Sequence, residues 1–153
     1  MSIGKLLFDE TYQLNMLIRF RNYISDKKIR FVPLIIKFLI YRIGHCYIHI
    51  NAKLGKVKIA HPLGIVIGAG VEVGNNVTMY QGVNLVGKGG GKKGYPKVED
   101  DVIIYADAKI IGNVTIGKGS IIGANAVVLH DVPPNSLAIG FPAKIKKQDE
   151  QQE

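Results

Sequence analysis

Aliphatic residues recur at every sixth position at Ile67, Val73, Met79 and Leu85, with Val71, Val77 and Val83 each four places after one of them. The pattern breaks after Leu85 and resumes in a new phase at Val98, Ile104, Ile110, Ile116, Ile122 and Val128. Here Val102, Ala108, Val114, Ser120, Ala126 and Val132 take the second position. A period of six is neither the 3.6 of a helix nor the 2 of an ordinary strand. It fits a chain wound round a triangular prism, each hexapeptide giving one short strand with its aliphatic residue pointing inward. Three hexapeptides close a coil, and successive coils stack through parallel strands about 4.8 Å apart. Corners of such a winding often need positive φ, which Gly tolerates freely and Asn and Asp better than most. Gly68, Gly70, Gly74, Asn75, Asn76, Gly112, Asn113, Gly117, Gly119, Gly123 and Asn125 are the corner candidates.

The break, residues 86–97, reads VGKGGGKKGYPK and predicts a loop thrown out from one corner, because its composition cannot pack as a strand. Two phosphate-binding look-alikes fall nearby. Gly82 to Lys88 has GxxxxGK spacing, but Gly89 stands where Ser or Thr would hold magnesium. Gly89 to Gly94 spells GxGxxG without a strand before it or a helix after it. Neither is read as a nucleotide site.

Residues 1–46 follow another rhythm. Leu6, Leu7, Leu14, Leu17 and Ile18, then Leu34, Ile35, Phe38 and Leu39, recur at three- and four-residue spacing, predicting two helical segments that part near Asp26, with Pro33 opening the second. Eight basic residues against Asp9, Glu10 and Asp26 give this segment +5 of the chain's +8. The segment is expected to cap the open first coil, since an uncovered coil end is an unpaired sheet edge, and to pack against neighbouring subunits. Its basic, amphipathic character also suits peripheral contact with an anionic membrane surface. The expected organisation is a helical cap over 1–46, a coiled domain over 47–147 with its loop at 86–97, and a disordered tail over 148–153.

Composition narrows the class. One cysteine among 153 residues, Cys46, excludes an intramolecular disulfide framework and points to a reduced thiol in the cytoplasm. The longest apolar run, Phe31 to Ile43, is interrupted by Pro33, Lys37 and Arg42 and is too short to span a bilayer. The basic residues lack interleaved aromatics, so no nucleic-acid partner is expected.

Six segments in order, IHINAKLG at 48–55, AHPLGIVIG at 60–68, NNVTMYQGVNL at 75–85, YPKV at 95–98, ADAKIIGNVTIG at 106–117 and IIGANAVVLHDVPPNSLAIGFPAKI at 121–145, resemble the hexapeptide-repeat acyltransferases. The resemblance is to their serine acetyltransferase branch and its relatives that acetylate sugars and polysaccharides. It implies a mainly β fold, a left-handed parallel β-helix with the short helical cap and one extended loop. It further implies acetyl-CoA as donor, no metal, and a homotrimer with active sites between adjacent prisms.

The resemblance makes His61 the catalytic base. An alcohol must lose a proton as it attacks a thioester, and the departing thiolate must regain one; an imidazole, ordinarily titrating near 6.5, can do both. His49 matches a structural position, and His45 and His130 match none. Metal binding through His45 and His49 would need a third ligand that is not evident. The pantetheine arm of the donor is expected along Ala106, Ala108, Gly123, Ala124 and Ala126, where small side chains permit close approach. Lys118 and Lys144 are expected at its phosphates, with Lys146 and Lys147 nearby.

The chain departs from the serine enzymes at four positions. Tyr47 and Ala60 stand where they carry aspartates, and Gly94 and Tyr95 where they carry an Arg-His pair. A zwitterion is hard to recognise without such charges. Tyr95 suits stacking on a sugar ring, and Tyr47 is a candidate for the acceptor site or for orienting His61. The expectation is therefore an acetyl-CoA-dependent O-acetyltransferase acting on a sugar or polysaccharide precursor. Serine O-acetylation is the alternative, with a non-catalytic β-helix scaffold behind it.

Overall fold

The computed structural model describes residues 10–25, 32–89 and 94–147. Two helices, α1 (Glu10–Ser25) and α2 (Val32–Gly44), precede a left-handed parallel β-helix of about five coils. The first coil is β1 (Tyr47–Ile48), β2 (Lys53–Leu54) and β3 (Val57–Ile59); the second is β4 (Val66–Ile67), β5 (Glu72–Val73) and β6 (Val77–Met79). The third is β7 (Asn84–Val86), β8 (Lys97–Val98) and β9 (Ile103–Ile104), and the fourth β10 (Lys109–Ile111), β11 (Thr115–Ile116) and β12 (Ile121–Ile122). The fifth has β13 (Val127–Val128), a bridge from Val132 to Ile116, and β14 (Ser136–Ile139), on which β15 (Lys144–Lys147) folds back antiparallel. The first strands of the coils form face A in the order β1-β4-β7-β10-β13, the second strands form face B, and the third, with β15, form face C.

Every residue of both periodic series is buried. Each fully buried aliphatic contributes about 1.5–3 kcal/mol of transfer free energy, so the inward column is the main source of stability. Its one polar member, Ser120, is satisfied: its hydroxyl donates to the Pro133 carbonyl at 2.7 Å and accepts from the Ser136 N–H at 3.3 Å. The first coil, hidden from a six-residue count, is already formed by Ile48, Leu54 and Ile59. Six residues separate the first two, five the next two, and eight carry the chain on to Ile67.

The corner candidates divide into two kinds. Asn76, Gly112, Gly119 and Asn125 have positive φ, as do Asp101, Asp107 and Asn135. Gly74 has an ordinary φ but no room: a Cβ there would lie 2.4 Å from Asp100 Oδ1 and 2.9 Å from the backbone carbon of Glu99 on the next coil.

The cap covers the first coil by hydrogen bonding as well as by packing. Asn15 and Ile59 exchange two 2.9 Å hydrogen bonds, side-chain amide to carbonyl and backbone N–H to side-chain oxygen. Arg21, 7% exposed, sends one guanidinium nitrogen to the carbonyls of His49, Ile50 and Ala52 at 3.1, 2.9 and 2.7 Å. Asn22 donates to the Leu54 carbonyl at 2.7 Å. Burial pulls the Arg21 pKa down from its ordinary value, yet guanidinium remains charged at any ordinary pH.

Leu14 and Ile18 of α1 face the core as expected, with Leu17 packed beside them. In α2 the expectation is corrected: Ile36 and Ile40 are buried, while Ile35, Phe38 and Leu39 are exposed. Because α2 is apolar nearly all round, periodicity cannot choose a face; docking against α1 and β1 does. Leu6, Leu7 and the tail at 148–153 lie outside the described residues.

Candidate active site

His61 sits where the winding is irregular. Spacing between inward residues is six at a regular corner but eight from Ile59 to Ile67, and the surplus makes a bend at the edge where face C passes into face A. The bend is pinned by the Leu63 N–H to the His61 carbonyl at 3.0 Å and the Gly82 N–H to the Leu63 carbonyl at 2.8 Å. Gly64 closes it at φ 67°, a conformation that glycine adopts without strain. A Cβ on Gly44, at the end of α2, would lie 3.1 Å from Pro62 Cβ, so the cap braces the bend from below.

His61 is exposed. Its ring lies 5.9 Å from that of Tyr80 at 53°, and Tyr80 in turn stacks 5.2 Å from Tyr105 at 19°. Along the same edge Asp107 N–H donates to the Gln81 carbonyl and Asn125 N–H to the Ala106 carbonyl, both at 2.9 Å. Gln81, Ala106 and Ala124 thus succeed His61 coil by coil. Three strand spacings, about 14 Å, separate His61 from Ala124. Gly123 lies beside Ala124, and a Cβ there would meet Ile139 Cγ2 at 2.6 Å. The Gln81 side-chain oxygen is enclosed without a hydrogen-bond partner among the described residues.

The fold gathers some expected residues and disperses others. Ala106, Gly123 and Ala124 share the edge of His61, and Lys144 comes to it because β15 pairs Lys144 with Ile139. Ala108 and Ala126 do not join them. Both are 0% exposed, at inward second positions, and their backbone groups are spent on neighbouring strands: Asn84 N–H donates to the Ala108 carbonyl and Lys109 N–H to that of Ala126. Lys118 belongs to the edge between faces B and C, where its ammonium lies 3.4 Å from Asp101 and its N–H donates to Glu99 Oε2 at 2.9 Å.

Tyr95 lies at the edge between faces A and B, its ring against Gly70 and Gly87; a Cβ on Gly70 would fall 2.2 Å from Tyr95 Cδ2. Tyr47 projects from face A at its lowest strand, with the Lys37 ammonium 4.8 Å over its ring and His49 6.4 Å away. His45 follows α2, its ring 6.1 Å from Tyr41, and His49 Nδ1 accepts from Asn51 N–H at 3.1 Å. Neither lies in a helix, so helical spacing does not unite them.

A groove of about 520 Å³ lies over face B, away from His61, lined by Lys53, Glu72, Lys97, Glu99, Asp100 and Lys118 among others. Lys53 hydrogen-bonds Glu72 at 2.6 Å, holding that carboxyl below its ordinary range. Lys53 and Glu72 thus pair with each other outside the candidate site.

Tyr80, Tyr105 and Gln81 are the residues that sequence reading missed. Each follows an inward aliphatic closely, but only coil-to-coil register aligns Met79 with Ile104 and so places Tyr105 over Tyr80.

Residues 95–130 match the family described as bacterial transferase hexapeptide (six repeats). The chain is 48% identical over 104 residues to the serine acetyltransferase of Bacillus licheniformis, an alignment covering 67% of this chain and 48% of the relative. A serine acetyltransferase solved in complex with CoA superposes with TM-score 0.81 at 35% identity, over 94% of this chain and 60% of that one. The Neisseria gonorrhoeae serine acetyltransferase solved with serine gives TM-score 0.81 at 30% identity, over 94% and 59%. The chain therefore spans about half the length of the curated relatives it matches.

These relatives correct the acceptor expected from sequence. They favour the alternative, serine, over a sugar or polysaccharide. Within one chain Tyr95 packs against Gly70 and Gly87 at a different edge of the prism from His61.

Proposed function

We propose that this hexapeptide-repeat chain, similar in sequence and fold to the serine acetyltransferases, is an acetyl-CoA-dependent serine O-acetyltransferase. The observation that carries this reading is the 48% identity to the Bacillus enzyme, in an alignment of two thirds of the chain. His61 accepts the proton of the serine hydroxyl as that oxygen bonds to the thioester carbonyl carbon. When the carbon–sulfur bond breaks, His61 returns the proton to the coenzyme sulfur, leaving O-acetylserine and CoA. Ala106, Gly123 and Ala124 leave a low edge along which the pantetheine arm lies, and Lys144 meets its phosphates.

An exposed base on the edge of a prism needs a second wall to exclude water. A homotrimer supplies it: the neighbouring prism closes over His61, with Leu63, 59% exposed, and Tyr105 as the apolar surface it covers. By turning its enclosed oxygen outward, Gln81 accepts from the serine ammonium, in place of a carboxylate at Ala60. The acceptor ammonium carries three donors, and an unfilled buried acceptor costs about 1–3 kcal/mol.

The test is transfer from acetyl-CoA by the purified chain, with L-serine and saccharides compared as acceptors and the product identified by mass spectrometry. O-acetylserine formation, abolished in His61→Ala with the trimer intact by native mass spectrometry, is the expected result. Full activity in that variant would remove His61 from the chemistry, and no product from serine would remove the acceptor.

A further inference from the structure

A general base works only if its ring is held in line with the proton it takes, and a misalignment of about 1 Å can cost a hundredfold in rate. His61 stands exposed on a surface bend, where χ1 and χ2 are free to rotate unless a neighbour packs on the ring. Tyr47, the orienting group considered from sequence, is engaged elsewhere: it lies under the Lys37 ammonium on the lowest strand of face A. The ring beside the imidazole is that of Tyr80, with centroids 5.9 Å apart and planes at 53°. This lies within the range of favourable tilted aromatic pairs.

Tyr80 is itself fixed on its other side. Met79 pairs with Ile104 in register, Tyr80 N–H donates to the Ile104 carbonyl at 3.0 Å, and Tyr105 N–H donates to the Ile122 carbonyl at 2.9 Å. The two tyrosines therefore leave the prism at matching positions one coil apart and stack at 5.2 Å, nearly parallel. The column stops there, because the next position is Gly123, whose side-chain space is taken by Ile139. The result is a three-ring series with the exposed member, His61, at one end and two rings anchored by strand register behind it.

We propose that Tyr80 is the positioning residue for His61 and that Tyr105 buttresses it. The ring of Tyr80 limits the imidazole to one orientation, and its π-system favours the imidazolium formed as the proton is taken. The hydroxyl has no part in this. The inference rests on the reading of His61 as the base, and the experiment separates the two.

Tyr80→Leu, Tyr80→Phe, Tyr105→Leu and His61→Ala are compared in steady-state transfer from acetyl-CoA to L-serine, and in proton–carbon NMR of histidine-labelled protein, where the His61 ring signal is the one missing from His61→Ala. Tyr80→Leu is expected to lower kcat about tenfold with both KM values within about twofold, and to move the His61 ring signal through loss of the Tyr80 ring current. Tyr80→Phe restores both, and Tyr105→Leu shows a smaller change of the same kind. An inactive His61→Ala beside a Tyr80→Leu with unchanged kcat and an unmoved His61 signal overturns the positioning role and leaves the base intact. Activity in His61→Ala overturns the base and the inference with it. Should Tyr80→Leu not fold, Tyr105→Leu decides: a shifted His61 signal supports the inference and an unshifted one overturns it, and this readout requires no acceptor.

Discussion

Asn15 pairs with both backbone groups of Ile59, donating to its carbonyl and accepting from its N–H at 2.9 Å each. This is the pattern a neighbouring strand would present. Together with Arg21, which serves three carbonyls at another corner of the same coil, it covers backbone groups of the first coil that would otherwise be a sheet edge.

Removing either clamp leaves backbone groups of the first coil unpaired. Asn15→Ala and Arg21→Ala are each expected to lower stability by about 2–3 kcal/mol, read from urea midpoints, and to make α1 the first site of proteolysis. Wild-type midpoints would mean that water replaces these bonds at no cost and that the cap is held by its apolar face alone.

Gly74→Ala tests the tightness of the winding. Its Cβ would contact both the side chain and the backbone of Asp100, so the coils must part locally. Overpacking of this kind costs about 1–3 kcal/mol, which thermal unfolding will report as a lower Tm. An unchanged Tm would show that the edge between faces B and C is slack.

Gln81→Leu separates function from stability. The leucine is similar in size and buries no orphan oxygen, so stability should hold or rise. The KM for serine should rise about tenfold with little change in KM for acetyl-CoA. An unchanged serine KM would exclude Gln81 from acceptor binding.

Lys144→Ala should raise the KM for acetyl-CoA about three- to tenfold, whereas Lys118→Ala should leave it within about twofold. The reason is position: Lys144 is on the edge that carries His61, and Lys118 is held by Asp101 and Glu99 on another. Equal effects would mean that a second chain brings Lys118 to the donor.

Cys46 is 1% exposed, and its thiol donates to the Gly44 carbonyl at 3.1 Å. Burial raises its pKa above the ordinary value. Thiol reagents should therefore label it at least about a hundredfold more slowly in the folded protein than in denaturant. Because folding holds the proton, this contribution is complete below the ordinary thiol pKa and is lost as pH climbs through the raised folded value. Cys46→Ala should flatten the alkaline decline in unfolding free energy; an unaltered slope would assign that decline to other groups.

Sequence alone determined the winding of this protein and the inward residues from Ile67 onward, while His61 was singled out by resemblance to a family. The winding and the inward residues are legible because each depends on spacing within a few residues: a six-residue period obliges Ile104 and Ile110 to point inward whatever lies above them. Tertiary structure decided the rest. Whether Ile36 or Phe38 of α2 is buried depends on what docks against a helix apolar on every side. That Tyr95 and Lys118 occupy different edges from His61 follows from how coils register across the loop and the widened corner. The same register sets Tyr105 on Tyr80 and Tyr80 beside His61, because hydrogen bonds between strands some twenty-five residues apart, Met79 with Ile104, align side chains that no local pattern connects.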